Sequence, residues 1–255
     1  MSQNPLKVII SGAAGRMGRY VAECITADCA VTVAAGVDKS KFDSDFPLYT
    51  SMSDVKENAD VIIDFSNTSA LDGLLKYAVQ KNVALVLATT GYTEEQIAEI
   101  KTAAEKIPVF FSFNMSLGIN LVCSLVKQAA AVLGKSFNVE IIEKHHNQKL
   151  DAPSGTAIML ADAVNGVFNG DMVYEYDRHS KRVKRPENEI GIHSVRGGTI
   201  VGEHDIIFAG NNETVTISHS AASRSIFATG AVNAAKFIVN KEPKLYDMND
   251  LIKDM

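Results

Sequence analysis

Short apolar runs alternate with helical segments throughout the first half of the chain, and this alternation excludes most fold classes. The runs that we predict as strands are LKVIIS at 6–11, VTVAAGV at 31–37, DVIIDF at 60–65, VALVLA at 83–88 and VFFS at 109–112. The predicted helices between them lie at about 16–27, 69–81 and 93–106, and the last opens with a capping box formed by Thr93 and Gln96. Strands that are apolar throughout are buried on both faces. The pattern therefore predicts a doubly wound α/β fold, a parallel sheet with helices on both sides.

The second half of the chain has a different pattern. The predicted elements there are helices at 118–133 and 156–167, strands at 138–143, 190–195, 199–208 and 213–220, and a last helix at 225–240. The last three strands are separated by Gly197-Gly198 and Asn211-Asn212, which are hairpin signals. These features predict an α+β unit with an antiparallel or mixed sheet.

Charge and composition exclude several classes of function. The formal net charge of −5 argues against a nucleic-acid-binding surface as the main function. The N-terminus lacks the pattern of a signal peptide, and no apolar stretch is expected to approach the roughly 18 residues of a membrane span. The three cysteines lack metal-ligand spacing and are expected to be small buried residues in a reducing cytoplasm. The charged run RHSKRVKRPENE at 178–189 is expected to be a solvated loop, with phosphate binding as the less favoured alternative.

The first predicted strand runs into a glycine-rich turn, GAAGRMG at 12–18, where the first helix is predicted to start. Glycines let the backbone approach a pyrophosphate, whose charge is met by N–H groups at the helix N-terminus. Asp38 ends the second predicted strand, where an acidic group can bond ribose hydroxyls. Together they predict dinucleotide binding, although the spacing is GxxGxxG rather than GxGxxG. The alternative is a tight β–α turn beside a surface aspartate.

Two further loops follow predicted strands. Thr89 and Thr90 follow the fourth strand, and Ser112 to Met115 follow the fifth. Ligands in such sheets lie beyond the carboxyl ends of the strands, so both loops are expected to face one crevice and contact the cofactor. Each loop could instead be an ordinary polar connection.

The stretch EKHHNQKLDAPSGT at 143–156 gathers side chains suited to acid–base chemistry. A histidine can donate a proton near neutral pH, and Lys149 offers a point charge for an anionic substrate. Ser154-Gly155-Thr156 stands at the head of a predicted helix, where N–H groups and hydroxyls favour a carboxylate. His145 and His146 can share one site only if the strand ends there, because neighbouring strand residues point to opposite faces.

The same residues also fit simpler roles. The two histidines could be a metal pair, but no third ligand lies at a recognisable spacing, so no metal centre is predicted. Ser154 could act only as the N-cap of its helix, a role that is compatible with binding. Lys149 could be a solvated charge.

Five segments make the sequence similar to one family. VIISGAAGRMGR, IDFS, ATTG, EIIEKHHNQKLDAPSGTA and IVGEH resemble segments of the 4-hydroxy-tetrahydrodipicolinate reductase (dihydrodipicolinate reductase) family, and the resemblance covers essentially the whole chain. It implies a homotetramer that uses NADH or NADPH, in lysine and diaminopimelate synthesis, to reduce a small cyclic dicarboxylate with loss of water. The fold it implies is a Rossmann-like dinucleotide-binding domain of residues 1–115 and 224–255, with a substrate-binding and tetramerisation domain of residues 116–223.

The resemblance also assigns roles in the charged stretch. His145 matches the catalytic acid/base, and Lys149 matches a second proton donor. His146, Gly155 and Thr156 match substrate-binding positions. Ser154 is added to this set because it belongs to the same predicted anion-binding turn.

The cofactor contacts follow in the same way. The positions that match the family's dinucleotide contacts are Gly12, Ala13, Ala14, Gly15, Arg16, Met17, Asp38, Ala88, Thr89, Thr90, Ser112, Phe113, Asn114 and Met115. Lys39 directly follows Asp38 and can pair with a 2′-phosphate, so we expect both NADH and NADPH to be used. Ala88 and Asp38 depart from the glycine and glutamate that are frequent in the family, which leaves the cofactor preference open.

Two other functions compete with this one. The first is another two-domain nicotinamide-dependent dehydrogenase of a small carboxylate. One example, a phosphorylating semialdehyde dehydrogenase, would need a cysteine nucleophile, and no cysteine lies near the charged turn. The second is a non-catalytic, nucleotide-sensing regulator on the same fold. Such a regulator would usually carry a DNA-binding module, which the sequence lacks, although the fold alone does not exclude it.

Overall fold

The chain divides into two compact units. The computed structural model describes residues 4–255. The first unit comprises the segment up to Leu117 together with Arg224–Met255, and the second unit is Gly118–Ser223. The described strands are, in chain order, β1 (Leu6–Ser11), β2 (Val31–Val37), β3 (Leu48–Tyr49), β4 (Val61–Asp64), β5 (Ala84–Leu87), β6 (Val109–Phe111), β7 (Asn138–His145), β8 (Val173–Glu175), β9 (Glu189–Arg196), β10 (Gly202–Ala209), β11 (Thr214–Ala221) and β12 (Leu245–Tyr246). The described α-helices are α1 (Arg16–Thr26), α2 (Leu71–Lys81), α3 (Glu94–Ala104), α4 (Leu117–Leu133), α5 (Gly155–Val167), α6 (Ser225–Ile238) and α7 (Met248–Asp254).

The first unit is built on a parallel sheet. Among residues 4–255 it has seven strands, in the order β12-β6-β5-β4-β1-β2-β3, and every neighbouring pair is parallel. Val8 and Ile10 of β1 pack into one core with α1 and α6, while Ile9 between them packs into a second core with α2 and α3. Neighbouring strand residues point to opposite faces, so a strand that is buried on both sides is apolar at every position. The predicted doubly wound, Rossmann-like sheet is confirmed, as is the capping box of α3.

Four short elements are not predicted by the sequence patterns, namely β3, β8, β12 and α7. β3 and β12 have two residues each and extend the first sheet at its two edges, against β2 and β6. β3, β8 and β12 have only two or three residues, too few to show a hydrophobic period, so pairing with a neighbouring strand determines their conformation. The seven-residue α7 opens with a capping box of Asp247 and Asp250, a local signal that the prediction missed.

The second unit has a mixed sheet. Its described strands lie in the order β11-β10-β7-β9-β8, and β7 pairs in parallel with β9 and antiparallel with β10. Val139 and Ile141 of β7 pack against α4 and α5 in the core of this unit. Glu140 and Lys144 alternate with them and are only half-buried, because they belong to the other face of the sheet. The predicted mixed sheet is confirmed.

One of the two predicted hairpins forms. β10 and β11 are antiparallel neighbours with Ala209 opposite Thr214, and Asn212 in the connection has a φ of +66°. Asparagine tolerates this left-handed conformation, which explains why Asn211-Asn212 is a useful turn signal.

The hairpin predicted at Gly197-Gly198 is wrong. β9 and β10 do not pair with each other but lie on either side of β7. The two glycines instead bond to the chain at the end of β7: Gly197 N–H donates to the His145 carbonyl at 2.9 Å, and Asn147 N–H donates to the Gly198 carbonyl at 3.2 Å. The strand predicted from 199 therefore begins only at Gly202, and the strand predicted at 138–143 continues to His145.

The expectation that no apolar stretch reaches membrane-spanning length is also wrong. Leu117–Ser136, which contains α4, is long and apolar enough by length and composition, with a mean hydropathy of 1.5. Val122, Val126 and Ala130 of this helix pack into the core of the second unit. The core helix of a globular unit meets the same criteria, so the feature is weak evidence for a membrane.

The charged run at 178–189 is more than a solvated loop. Arg185 donates to the Glu140 carboxylate at 2.9 Å and to the Val139 carbonyl at 3.0 Å. Arg178 forms an ion pair with the buried Glu189 at the start of β9. These contacts attach the run to the sheet of the second unit, a tertiary effect that charge density alone does not predict.

Candidate functional site

The turn between β1 and α1 requires glycine at two positions. Gly12 has a φ of +80°, and a Cβ there would lie 2.5 Å from the carbonyl oxygen of Phe65. A Cβ on Gly18 would overlap the carbonyl oxygen of Gly12, so α1 can pack against the turn only through glycine. The backbone therefore forms a tight cradle at the head of α1.

Asp38 lies beside this cradle, as the sequence predicts. Its Oδ2 accepts a hydrogen bond from the Ala14 N–H at 3.0 Å, and its Oδ1 accepts one from the Ser40 N–H at 2.9 Å. The N–H groups of Gly12 and Ala13 donate to the Val37 carbonyl. The carboxylate is therefore oriented by the turn itself, beside the glycine cradle.

The positive end of α1 faces the same turn. α1 begins at Arg16, and Gly15 before it provides no side-chain cap. The first N–H groups of a helix have no partner within it, so those of Arg16 and Met17 can meet an anion. The Ala13 side chain is buried in the core, so contacts from this residue would come from its backbone.

A cavity of about 870 Å³ adjoins the cradle and fits a large ligand. Its lining includes four of the predicted cofactor residues, Gly12, Gly15, Asp38 and Lys39. Beyond Asp38 it extends to polar side chains of the segment after β3 and of α2, which are Ser51, Ser53, Lys76, Tyr77 and Gln80. A glycine cradle, an uncapped helix terminus and an oriented carboxylate beside one cavity fit an NAD(P) dinucleotide.

The predicted contacts after β5 differ in their accessibility. Ala88 and Thr89 are buried, whereas Thr90 is exposed. The Thr89 hydroxyl donates to Oδ2 of Asp64 at 2.6 Å, and the Ser66 hydroxyl donates to Oδ1 at 2.5 Å. Burial raises the pKa of Asp64, against the opposing effect of these hydrogen bonds. Thr89 therefore holds the loop through its side chain.

The loop after β6 is similarly fixed. The Ser112 hydroxyl donates to the Asn114 carbonyl at 2.9 Å, and the Ser116 N–H donates to Asn114 Oδ1 at 2.9 Å. Met115 is buried in the core of the first unit, whereas Phe113 is 60% exposed. β5 and β6 are parallel neighbours, so both loops lie at the carboxyl edge of the sheet, as predicted.

In the second unit, β7 ends at His145, so His146 already belongs to the following turn. The His145 ring is held by the carboxylate of Glu143, two residues earlier on the same face of the strand: Nδ1 lies 2.6 Å from Glu143 Oε2. The other ring nitrogen, Nε2, lies against Gly202 of β10, where a Cβ would approach it to 3.1 Å. The strand thus presents one histidine with a defined ring orientation.

Glu143 is fully buried and accepts hydrogen bonds from several directions. Arg196 at the end of β9 donates to both carboxylate oxygens, at 2.8 Å and 2.7 Å, and the Ser154 N–H donates to Oε1 at 3.1 Å. Burial alone would raise the pKa of Glu143, but Arg196, with further bonds from Ser194 and His145, holds it at about 2. Burial lowers the pKa of His145, and Glu143 opposes that shift.

A second histidine, His204 of β10, lies beside the first. The ring centroids of His145 and His204 are 5.3 Å apart in an edge-to-face arrangement, and His204 Nε2 shares a hydrogen bond of 3.3 Å with the Ser154 hydroxyl. Burial lowers the pKa of His204 to about 4, so it is neutral near pH 7. Among the described residues, three buried side-chain nitrogens lack a hydrogen-bond partner: Nδ1 of His204, Nδ1 of His219 and Nε of Arg196. No group of three or more His, Cys, Asp or Glu within residues 4–255 is placed to hold a metal ion.

The predicted anion-binding turn opens α5. Ser154 is the N-cap of this helix: its hydroxyl accepts a hydrogen bond from the Ala157 N–H at 3.1 Å, which confirms the capping role. Gly155 and Thr156 form the first turn, at the positive end of the helix. Lys149, in the loop after β7, pairs with Asp151 at 2.9 Å. An arriving carboxylate would therefore compete with Asp151 for this ammonium group.

Three residues of this cluster are absent from the sequence prediction. Glu143 could have been found, because an acidic residue two positions before a strand histidine lies on the same face. Arg196 and His204 belong to strands that are distant in sequence, and only the register of β7 with β9 and β10 brings them to His145.

The whole chain matches one family. The family profiles described as dihydrodipicolinate reductase, N-terminus and C-terminus, match residues 6–115 and 118–252. The 4-hydroxy-tetrahydrodipicolinate reductases of Caldanaerobacter subterraneus subsp. tengcongensis and Clostridium novyi are 53% and 44% identical to it, each over 97% of this chain and 98% of the relative. A solved structure, the dipicolinate-bound dihydrodipicolinate reductase from Paenisporosarcina sp. TG-14, superposes with a TM-score of 0.82 at 26% identity, over 96% of this chain and 99% of that one. The chain therefore belongs to the dihydrodipicolinate reductase family.

Proposed function

We propose that this chain reduces 4-hydroxy-tetrahydrodipicolinate to tetrahydrodipicolinate, with loss of water, and that His145 is the proton donor. The observation that carries the proposal is the fixed ring of His145 at the end of β7, held by Glu143. Family membership makes the chain an oxidoreductase that uses NADH or NADPH in lysine and diaminopimelate synthesis. The names of its relatives supply the substrate.

The substrate carries two carboxylates, and the second unit offers two kinds of anion contact. One is the positive end of α5 at Gly155 and Thr156, and the other is the Lys149 ammonium. His146, whose carbonyl accepts the backbone N–H of Lys149, is added to them by its match to the family's substrate-binding position. That a relative was solved with dipicolinate, a cyclic dicarboxylate, supports this type of ligand. Ser154 contributes indirectly in this arrangement, since its hydroxyl caps α5 and its N–H bonds to Glu143.

His145 supplies the proton that the reduced ring requires. A bound NADH or NADPH would supply the hydride. Loss of water gives a conjugated ring, hydride addition to that ring leaves an enamine, and protonation of the neighbouring carbon restores the imine. Nδ1 of His145 is committed to Glu143, so the proton leaves from Nε2. Lys149, as a second proton donor, protonates the hydroxyl group that leaves as water, while the neighbouring ring carbon loses a proton to solvent. Lys149 and His145 both regain their protons from solvent.

We assign cofactor binding to residues 1–115 and 224–255, and substrate binding and tetramerisation to residues 116–223. The contacts proposed for the cofactor are the cradle at 12–17, Asp38 with Lys39, and the loops at 88–90 and 112–115. A cytoplasmic location is supported by the free thiols of all three cysteines, although the expectation that they are buried is wrong, because Cys29 is exposed and Cys24 and Cys123 are half-buried. A homotetramer is supported by the sheet of the second unit. The described helices α4 and α5 pack on one face of that sheet, and association of copies would cover the other.

The test is NADH oxidation by purified protein, with the condensation product of pyruvate and aspartate semialdehyde as substrate. Wild type should turn over, and His145→Gln should lower kcat by about 10²- to 10⁴-fold, the usual range for general acid catalysis. Dissociation constants for NADH should be the same in both proteins, because the substitution lies in the second unit. His179→Gln, in the exposed part of the charged run, is the matched control and should keep wild-type kcat.

Two outcomes would contradict the proposal. Absence of turnover by the wild-type protein would remove the substrate assignment. Near-normal kcat in His145→Gln would leave the substrate in place and remove His145 from the proton-donor role.

A further inference from the structure

We propose that Glu143 and Arg196 are positioning residues for the reaction, which act by orienting His145 and by fixing the head of α5 to the same carboxylate. The inference rests on the proposed role of His145. It adds two residues, the fully buried Glu143 and the half-buried Arg196, whose contribution is made entirely through other groups.

The first step of the inference concerns the His145 ring. Glu143 is ionised, so its Oε2 accepts a hydrogen bond, and the ring nitrogen 2.6 Å away, Nδ1, must carry the hydrogen. This fixes the neutral tautomer as Nδ1–H and makes Nε2 the nitrogen that takes up and releases the working proton. Nε2 lies against Gly202, where an added Cβ would approach it to 3.1 Å, so glycine keeps a side chain away from this nitrogen.

The second step concerns Arg196. A buried carboxylate without a partner would bind a proton and lose its preference for accepting hydrogen bonds. Arg196 prevents this with two parallel bonds to Glu143, at 2.8 Å and 2.7 Å. It also donates to the Asp151 carbonyl at 2.6 Å, which anchors the loop between β7 and α5.

The third step concerns the anion-binding turn. Oε1 of Glu143 accepts the Ser154 N–H at 3.1 Å, and Ser154 in turn caps α5. One carboxylate thus sets both the direction of the proton donor and the position of the helix terminus proposed for a substrate carboxylate. A displacement of Glu143 would disturb both at once.

The charged and titratable groups around His145 come from several elements. Arg196 of β9 and Lys149 of the following loop disfavour the protonated ring, whereas Glu143 on its own strand favours it. His204 of β10 is neutral near pH 7, and His219 of β11 lies opposite His204. Asp151 pairs with Lys149 and reduces its influence. Glu143 is the acidic group in direct contact with the ring, so its neutralisation should make protonation of His145 harder.

The experiment measures kcat, KM and their pH dependence for full-length Glu143→Gln. We expect kcat to fall by about 10- to 100-fold, as for other residues that orient a functional histidine. The alkaline limb of the pH–kcat profile should move to lower pH by about one unit, because the favourable charge is lost. The KM for NADH should not change. A purely structural role would lower activity without moving this limb.

A matched control lies on the same strand. Glu140 also contacts an arginine and a histidine, Arg185 and His193, each at 2.9 Å, but on the opposite face of the sheet. Glu140→Gln should keep the wild-type pH profile. If Glu143→Gln does not fold, Glu143→Asp serves instead: it keeps the charge but shortens the reach, so kcat should fall with the alkaline limb in place. For this variant the double-variant cycle with His145→Gln, rather than the pH profile, distinguishes positioning from a purely structural role.

A double-variant cycle separates this inference from the proposed function. If Glu143 acts through His145, Glu143→Gln combined with His145→Gln should be no more than about twofold slower than His145→Gln alone. The positioning role would be overturned if the loss of kcat in the double variant equals the product of the two single losses. It would also be overturned if Glu143→Gln or Glu143→Asp keeps the wild-type kcat and pH profile. Normal activity of His145→Gln would instead defeat the proposed function, whatever Glu143→Gln shows.

Discussion

Three histidines on neighbouring strands show how the surroundings of a residue decide its chemistry. His204 lies opposite His219 in the β10–β11 ladder, and its ring faces the edge of His145. Burial lowers the pKa of His204 to about 4 and lowers the pKa of His219 as well. For His145 the contact with Glu143 opposes the effect of burial. Glu143 therefore gives His145 a carboxylate contact that favours the protonated ring, while the pKa of His145 still lies below its ordinary value.

At the scale of single residues, Lys149 should determine the affinity for dicarboxylates. Pyridine-2,6-dicarboxylate should inhibit competitively with the substrate, because it presents two carboxylates on a planar ring. Lys149→Ala should weaken its binding by about 1.5–3 kcal/mol, typical of a charged hydrogen bond. The measurement is the inhibition constant in wild type, Lys149→Ala and the control Lys135→Ala, which removes an exposed lysine elsewhere in the second unit. Equal inhibition of all three proteins would place the dicarboxylate elsewhere.

The cofactor preference depends on two adjacent residues that act in opposite directions. Asp38 can bond ribose hydroxyls and repels a 2′-phosphate, whereas Lys39 lines the same cavity and can pair with that phosphate. An exposed lysine contributes about 1 kcal/mol at most, so kcat/KM for NADH and NADPH should agree within roughly tenfold.

Lys39→Ala should lower kcat/KM mainly for NADPH, and the loss should shrink as salt is added, because salt screens exposed charges. Steady-state kinetics with both cofactors at two salt concentrations provides the measurement. Lys41→Ala, an exposed lysine two positions further on, should have no such effect. An equal loss for both cofactors, or none, would show that Lys39 does not contact the phosphate.

At the scale of elements, the position of α1 depends on Gly18. A methyl group there would overlap the Gly12 carbonyl, so Gly18→Ala must displace either the helix or the cradle. We expect a loss of about 1–3 kcal/mol in the free energy of unfolding, typical of overpacking, and at least tenfold weaker NADH binding. Gly166→Ala in α5 is the control: a Cβ added there would meet no atom of another element within 4 Å, and alanine favours the helix. Titration calorimetry and thermal unfolding of both variants test this, and unchanged NADH affinity in Gly18→Ala would contradict it.

The elements that the sequence predicts correctly are those with local signals. β1, β2 and the capping box of α3 follow from apolar runs and from side chains three residues apart. The pair Gly197-Gly198 misleads because glycine permits a turn without determining which strands meet beyond it. Strand order is decided by long-range packing, and here β7 lies between β9 and β10.

The same distinction separates the parts of the site. His145, Lys149 and the α5 cap lie within one stretch of sequence, and their proximity can be predicted. Arg196 reaches Glu143 through the parallel register in which it lies opposite His145, and nothing in its sequence neighbourhood indicates this pairing. Residues contributed by a distant strand are visible only in the folded chain.

At the scale of the whole molecule, folding buries ionisable groups whose proton affinity then differs from that in the unfolded chain. Glu143 stays ionised because the effect of burial is outweighed by Arg196 and its other partners, and its pKa falls to about 2. His204 stays neutral because burial lowers its pKa to about 4. In both cases the folded chain binds fewer protons than the unfolded chain in acid. Both groups therefore lower the free energy of unfolding as the pH falls, whereas Asp64, whose pKa is raised by burial, acts in the opposite direction.

The two groups act in different pH ranges. The contribution of His204 is lost as the pH falls from about 6.5 to about 4, and that of Glu143 between about 4.5 and about 2. For His204 the shift corresponds to about 3 kcal/mol. We therefore expect His204→Gln to be less stable than wild type at pH 7.5, because a buried contact is lost, but to lose less stability between pH 6.5 and 4. Urea unfolding followed by circular dichroism at several pH values measures both slopes, with His179→Gln, an exposed histidine, as the control that should follow wild type. Parallel pH dependences for wild type and His204→Gln would mean that His204 is protonated as readily in the folded chain as in the unfolded one.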